Sequence, residues 1–311
     1  MSMSMPFSPR RRTLLIAGAC APLLAACASV PGVATPGVAT PGVATPVAEA
    51  QAELAALEAA AGGRLGVGAI DTGDGRRLGH RADERFPMCS TFKAIAAAAI
   101  LAHGKHVPGW LDQRVYYTKA DLVTYSPITE KHLDDGMTVG ELCAATIQYS
   151  DNAAANLLMA MIGGPGGVTG FARSMGDTVF RLDRWETELN TAIPGDPRDT
   201  ATPAAMAALL RRVALDDGLP AAQRDQLQNW MRGNTTGDTR IRAAVPASWA
   251  VADKTGTGAY GSSNDIGIVF PPKGAPVVLA LYYTQADQQA KADSEILAQA
   301  TRIVMAAFAR A

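Results

Sequence analysis

Arg64-Leu65-Gly66-Val67-Gly68-Ala69-Ile70, Asp71-Thr72-Gly73-Asp74-Gly75 and Arg76-Arg77-Leu78-Gly79-His80 follow one another without a break. The first segment alternates around Leu65 and Val67, the second carries turn residues, and the third returns, so together they spell a β-hairpin. Strand patterns then vanish until residues 248–253, 266–270 and 277–283. The stretch between reads as helices at 90–102, 138–149, 152–162, 168–175, 203–215 and 221–231, separated by Gly- and Pro-rich loops. Residues 47–60 place Leu54 and Leu57 on one face of a further helix ended by Gly62-Gly63, and 290–310 reads as a long closing helix. Strands at both ends of a helical middle imply that the hairpin joins the C-terminal strands in one sheet. The expected fold is α/β of the α+β kind: a five-stranded antiparallel sheet flanked by helices, with an inserted all-helical domain. Residues 47–85 and 233–311 form the α/β part and 86–232 the helical part, with a cleft between them.

With 311 residues, 48% hydrophobic and 18% charged, the chain can bury a full core. A net charge of −1 gives no basic field for nucleic acid. Arg10, Arg11 and Arg12 precede an apolar run at 14–28 that is short for a membrane span, which reads as an export signal over residues 1–30. Arg11-Arg12-Thr13-Leu14-Leu15 fits a twin-arginine signal, and a general secretory signal with surplus arginines fits as well. Leu24-Ala25-Ala26-Cys27 has the form of a lipobox, in which Cys27 becomes the lipidated first residue of the mature protein; an ordinary cleavage site is the alternative. Pro-Gly-Val-Ala-Thr then occurs three times between 31 and 45, and 31–46 reads as a tether. Cleavage before the repeats removes three arginines and no acid, leaving 25 basic residues against 29 acidic ones, a net −4. The expected setting is the periplasm, with membrane attachment only through Cys27.

Ser90-Thr91-Phe92-Lys93 opens an apolar helix, where the spacing puts the Lys93 amine within reach of the Ser90 oxygen. A hydroxyl needs such a base to attack near neutral pH. Alone, the motif is equally a helix cap followed by a solvated lysine. Ser150-Asp151-Asn152 lies between two helices, where a loop can project into the cleft; by itself it is another cap. Lys254-Thr255-Gly256-Thr257 ends a strand that could pair with an extended substrate and meet its carboxylate. By itself it is an edge strand with a protective lysine. His103 and His106 are three apart, but Gly104 and Pro108 mark a helix end and loop there, and His80 and His132 stand alone, so neither metal nor cofactor is expected.

In this order the three motifs resemble the serine β-lactamase and penicillin-binding protein superfamily. Arg184-Trp185-Glu186-Thr187-Glu188-Leu189-Asn190, followed by Arg198-Asp199-Thr200-Ala201-Thr202-Pro203, resembles the omega loop of the class A β-lactamases. The resemblance implies hydrolysis of the lactam ring of penicillins and cephalosporins through an acyl-serine intermediate. It implies that Ser90 is the nucleophile and Lys93 a proton acceptor during acylation. Glu186 and Asn190 would activate the hydrolytic water, and an arginine–aspartate ion pair would pin their loop. Ser150 would pass a proton towards the lactam nitrogen, and Asn152 would hold the substrate's side-chain amide. Lys254, Thr255 and Thr257, with Gly256 between them, would meet the carboxylate, and the N–H groups of Ser90 and Thr257 would form the oxyanion hole. Tyr125 resembles the aromatic wall of the cleft. Thr257 and Cys89-Ser90-Thr91 resemble the broad-spectrum cephalosporinase branch. The implied partner is a small β-lactam, with the protein acting as a monomer.

Departures from the family pattern are equally specific. Many relatives carry an arginine after the Lys-Thr-Gly segment, where this chain reads Ser262-Ser263-Asn264, and Arg240 stands as the substitute. Cys89 resembles the cysteine that class A carbapenemases bridge to a partner just beyond that segment, but the partner position is Gly258; the position that pairs with Cys143 in other relatives is Ala97. Both cysteines are expected to be free and buried, and carbapenem hydrolysis weak. A transpeptidase shares the first three motifs but lacks Glu186 with Asn190, and a β-lactam sensor has no use for a deacylation loop.

Overall fold

Thr45 accepts the Ala48 N–H and Pro46 occupies the first turn, which together start helix α1 (Pro46–Ala61); Gly62 ends it at φ 71°. The computed structural model describes residues 45–309, so the export signal, Cys20, Cys27 and all but the last residue of the repeats lie outside the described residues. After α1 come β1 (Arg64–Asp71), β2 (Arg77–His80), β3 (Phe86–Pro87) and α2 (Phe92–His103). The helical stretch continues with β4 (Arg114–Val115), β5 (Met137–Thr138), α3 (Val139–Gln148), α4 (Asn152–Met161), α5 (Pro165–Ser174), β6 (Thr200–Ala201), α6 (Pro203–Ala214) and α7 (Ala221–Arg232). The chain closes with β7 (Ala250–Thr257), β8 (Ser263–Phe270), β9 (Val277–Thr284) and α8 (Ser294–Ala307).

The N-terminal hairpin joins the C-terminal strands as expected, in one five-stranded sheet of order β2-β1-β9-β8-β7 with antiparallel neighbours throughout. The alternation of β9 shows why it lies at the centre. Val277, Leu279, Leu281 and Tyr283 pack with Leu54 of α1 and Val304 of α8, whereas Val278, Ala280 and Tyr282 pack with Phe92 of α2 and Met206 of α6. The sheet is thus covered on both faces. β7 is left at the edge that borders the helical stretch.

Several boundaries differ from the sequence pattern. The closing helix starts at Ser294 rather than 290, because Asp293 takes an extended conformation and caps it through the Glu295 N–H. The helix expected from 90 begins with a tight turn at Cys89–Thr91 before α2 proper. The Lys-Thr-Gly-Thr segment ends a strand as expected, but β7 runs on through it to Thr257 rather than stopping at 253, since its residues pair with 263–266 of β8.

Candidate active site

The turn that presents Ser90 is held in an uncommon shape, with Cys89 at φ 45° and the Met88 N–H donating to Asp199 O at 2.9 Å. One helical turn later Lys93 is fully buried. Its Nζ donates to Asn152 Oδ1 at 2.6 Å and Ser150 O at 2.8 Å, and pairs with Glu186 Oε1 at 3.0 Å. Ser90 Oγ donates to the same Glu186 oxygen at 3.4 Å. The expected direct reach from amine to serine oxygen is therefore replaced by a shared carboxylate oxygen, because Lys93 is drawn to three acceptors deeper in the wall. Burial lowers the pKa of Lys93, against the raising influence of Glu186.

Ser150 sits at φ 58°, and the next residue explains the turn. Buried Asp151 accepts the Ala154 N–H at the start of α4, and its other oxygen accepts the Ile128 and Thr129 N–H groups, each at 2.9 Å. This ties the loop carrying Tyr125 to the Ser-Asp-Asn turn. Asn152 completes the tie, its N–H donating to Tyr125 O at 3.0 Å and its side chain to Thr124 O at 2.7 Å. Tyr125 itself stands exposed at the rim.

On β7, Lys254 follows Ala252 by two and so shares its face towards the helices. There Nζ donates to Ser150 Oγ at 3.2 Å and Thr255 O at 2.8 Å. Lys254 is fully buried, which is not the exposed position of a protective lysine on an edge strand. Burial, followed by the nearby charge of Lys93, pushes its pKa down to about 7. Gly256, two further on, allows β7 to approach the nucleophile: a Cβ there would lie 2.7 Å from Met88 O and 3.1 Å from Ser90 N. Arg240, buried behind the strand, donates to Gly256 O at 2.8 Å, Asn264 O at 2.5 Å and Thr257 Oγ1 at 2.8 Å.

The fourth segment folds back on itself through Arg184 and Asp199, whose side chains meet at 2.6 Å. Fully buried Asp199 also accepts the N–H groups of Asp183 and Arg184 at 2.7 and 2.9 Å. Within that closed loop a cis peptide joins Glu186 to Thr187, and Asn190 Nδ2 donates to Glu186 Oε2 at 2.5 Å. Asn156 of α4 holds the Glu186 backbone from both sides, accepting its N–H and donating to its carbonyl, each at 3.0 Å. Every candidate catalytic or substrate-binding residue except Lys93, Glu186 and Lys254 lines one cavity of 310 Å³, and those three are buried and bonded to residues that line it. The arrangement offers a hydroxyl, a carboxylate, two amines of lowered pKa and a strand edge in one cleft.

Residues 49–308 match the family model described as the β-lactamase enzyme family. The chain is 52% identical over 309 residues to β-lactamase AST-1 of Nocardia asteroides, covering 98% of each. The chain belongs to the β-lactamase enzyme family. A crystal structure of the β-lactamase from Desulfarculus baarsii DSM 2075 is 53% identical, with a TM-score of 0.84 over 85% of this chain and 99% of that one. A mutant of the class A β-lactamase of the last common ancestor of Gram-negative bacteria is 56% identical, with a TM-score of 0.81 over 84% and 99%. This β-lactamase is accordingly a class A serine hydrolase, and the transpeptidase and sensor readings fall away.

Some residues of the β-lactamase's cleft escaped the sequence reading. Thr236 lines the cavity, with its hydroxyl 2.5 Å from that of Thr255. Asn156 holds the Glu186 backbone from α4, and only its place four residues after Asn152 marks it in the sequence, whereas Asp151, quoted within the Ser-Asp-Asn motif, caps α4 as the motif by itself reads. Cys89 and Cys143 are free and buried, as expected. A Cβ at Gly258 would lie 2.6 Å from Cys89 Sγ, so Gly258 does occupy the place of a bridging partner.

Proposed function

We propose the following division of labour for the hydrolysis of penicillins and cephalosporins by this enzyme. Ser90 Oγ attacks the lactam carbonyl, and its proton passes to Lys93 or Glu186. The observation that carries this reading is the convergence of Ser90 Oγ and Lys93 Nζ on one Glu186 oxygen, at 3.4 and 3.0 Å. The N–H groups of Ser90 and Thr257 receive the developing oxyanion, a type of contact that contributes about 3 kcal/mol to transition-state stabilisation. As the C–N bond breaks, Ser150 Oγ delivers a proton to the nitrogen, with Lys254 behind it to keep the relay charged. The substrate carboxylate meets the hydroxyls of Thr255 and Thr257, with the positive charge of Arg240 and Lys254 directly behind them. Asn152 binds the side-chain amide and Tyr125 flanks it. Water then attacks the ester, held by Glu186 and by Asn190, whose Oδ1 is an acceptor without a partner among the described residues.

Asparagine and glutamate placed for this second step mark a hydrolase rather than a trap. Mixing purified enzyme with a chromogenic cephalosporin should give sustained turnover, and Ser90→Ala should abolish both turnover and acyl adduct. A single stoichiometric burst from the parent, or an adduct on another residue, would refute the assignment. We further place the enzyme in the periplasm, anchored through Cys27 with the repeats as tether, and acting as a monomer. The arginines at 10–12, the apolar run behind them and the repeats after Cys27 support the first two points. A site complete within one chain supports the third. The mass of the mature N-terminus distinguishes a lipidated cysteine from a free one.

A further inference from the structure

Asn264 on β8 is fully buried and takes no part in the chemistry assigned above. Its side-chain amide donates to Pro87 O at 2.8 Å and to Met88 O at 3.0 Å, the two carbonyls just ahead of the nucleophile turn. Burying an amide is unfavourable unless its hydrogen bonds are made, and here only the donor end is satisfied: Oδ1 has no partner among the described residues. The side chain is therefore aimed at those two carbonyls. Its own backbone carbonyl accepts from Arg240 Nη1, the same nitrogen that donates to Gly256 O. One asparagine thus links the nucleophile turn to β7 on one side and to Arg240 on the other.

The turn needs such a link. Cys89 is held at φ 45°, a conformation disfavoured for a residue with a side chain, and it persists only where neighbours over-determine it. The Met88 carbonyl lies in the peptide plane on one side of Cys89, and the Ser90 N–H lies in the plane on the other. With buried Cys89 held in its conformation between them, the orientation of the first plane sets that of the second, and so where the Ser90 N–H points. Thr91 adds a local bond to the same carbonyl at 2.8 Å, but only Asn264 ties it to the sheet that carries the other oxyanion donor.

We propose that Asn264 is a positioning residue, which holds the Met88–Cys89 peptide so that the Ser90 N–H faces the developing oxyanion in both acylation and deacylation. This rests on the assignment of Ser90 as nucleophile. Asn264→Leu, of similar volume without donors, and Asn264→Ala are compared with the parent per titrated active site. Rate constants for acylation and deacylation come from rapid mixing, together with the affinity of a phenylboronic acid that forms a tetrahedral adduct on Ser90. Both rate constants and the boronate affinity should fall by about tenfold, the effect of losing oriented donors, while KM moves by less than about threefold. A merely structural asparagine would lower the melting temperature or the fraction of active sites and leave these quantities within about twofold, which would overturn the proposal.

Should neither variant fold, the parent supplies the answer. The Asn264 side-chain amide signals in a nitrogen-labelled spectrum should exchange slowly and shift when the boronate binds; signals that do not move would overturn the proposal. An acyl adduct of the parent on a residue other than Ser90 would overturn the site assignment itself, and the role of Asn264 with it.

Discussion

Replacing Glu186 by alanine separates capture of the β-lactam from its hydrolysis. Both carboxylate oxygens are engaged: Oε2 accepts from Asn190 at 2.5 Å, and Oε1 from Ser90 at 3.4 Å while pairing with Lys93 at 3.0 Å. On the proposed division of labour, deletion removes the base and one of the two groups that hold the hydrolytic water. General-base assistance is worth about 10²–10⁴ in rate, and positioning adds to it, so deacylation should fall by at least about a thousandfold. Acylation responds differently. Glu186 is the largest influence raising the pKa of Lys93, and without it burial drives the amine further towards its neutral form. A neutral amine can accept the Ser90 proton. Glu186→Ala should therefore accumulate benzylpenicillin as an ester on Ser90, visible by intact-mass spectrometry as a gain of the whole antibiotic within minutes of mixing. Turnover at the parental rate would refute the role of the loop. A variant that never acylates would refute the role of Lys93 and make Glu186 the base for both steps.

Two further expectations concern the strand and the cysteine beside it. Lys254 has a pKa of about 7 in the free enzyme, and binding a carboxylate favours its charged form, so above that pH substrate binding must take up a proton. KM for benzylpenicillin should rise as pH increases through and beyond neutrality, and Lys254→Arg, charged throughout, should flatten the profile; an equally steep rise in the arginine variant would remove Lys254 as the cause. Gly258→Cys should close a bridge to Cys89, since the new Cβ lies 2.6 Å from its sulfur and only the Asn190 carbonyl, at 2.8 Å, has to yield. Thiol titration of the denatured, unreduced mature enzyme should count two thiols in the parent and, with Cys143 left over, about one in the variant; three in the variant would show that the site cannot close.

The hairpin at 64–80 and the continuous apolar run of 277–283 made the sheet legible, because a strand that is apolar on both faces needs a partner layer on each side. Boundaries were less legible where a cap decides them: Asp293 cuts the closing helix short through one side-chain bond, a feature invisible to periodicity. The site residues were legible as motifs, since Ser90, Lys93, Ser150, Asn152 and Glu186 all meet within hydrogen-bonding networks of one wall. Asn156 and Asn264 were not, because the side chain of each bonds to backbone, and any buried asparagine has the same appearance in a sequence.

Burial is the property that sequence order conceals most, and in this cleft it changes the chemistry. Lys93 and Lys254 each look like a solvated cation when read singly. They are instead two fully buried amines converging on Ser150, both with their pKa lowered by burial, and the charge of Lys93 lowers that of Lys254 further. Water would screen such a pair and leave both charged; burial in the wall favours the neutral form of each, and brings Lys254 down to about 7. Ser150 stands between them at φ 58°, its oxygen 3.4 Å from one amine and 3.2 Å from the other. The relay proposed above requires that position, and Lys254 reaches it because it shares with Ala252 the face of β7 that packs towards the helices.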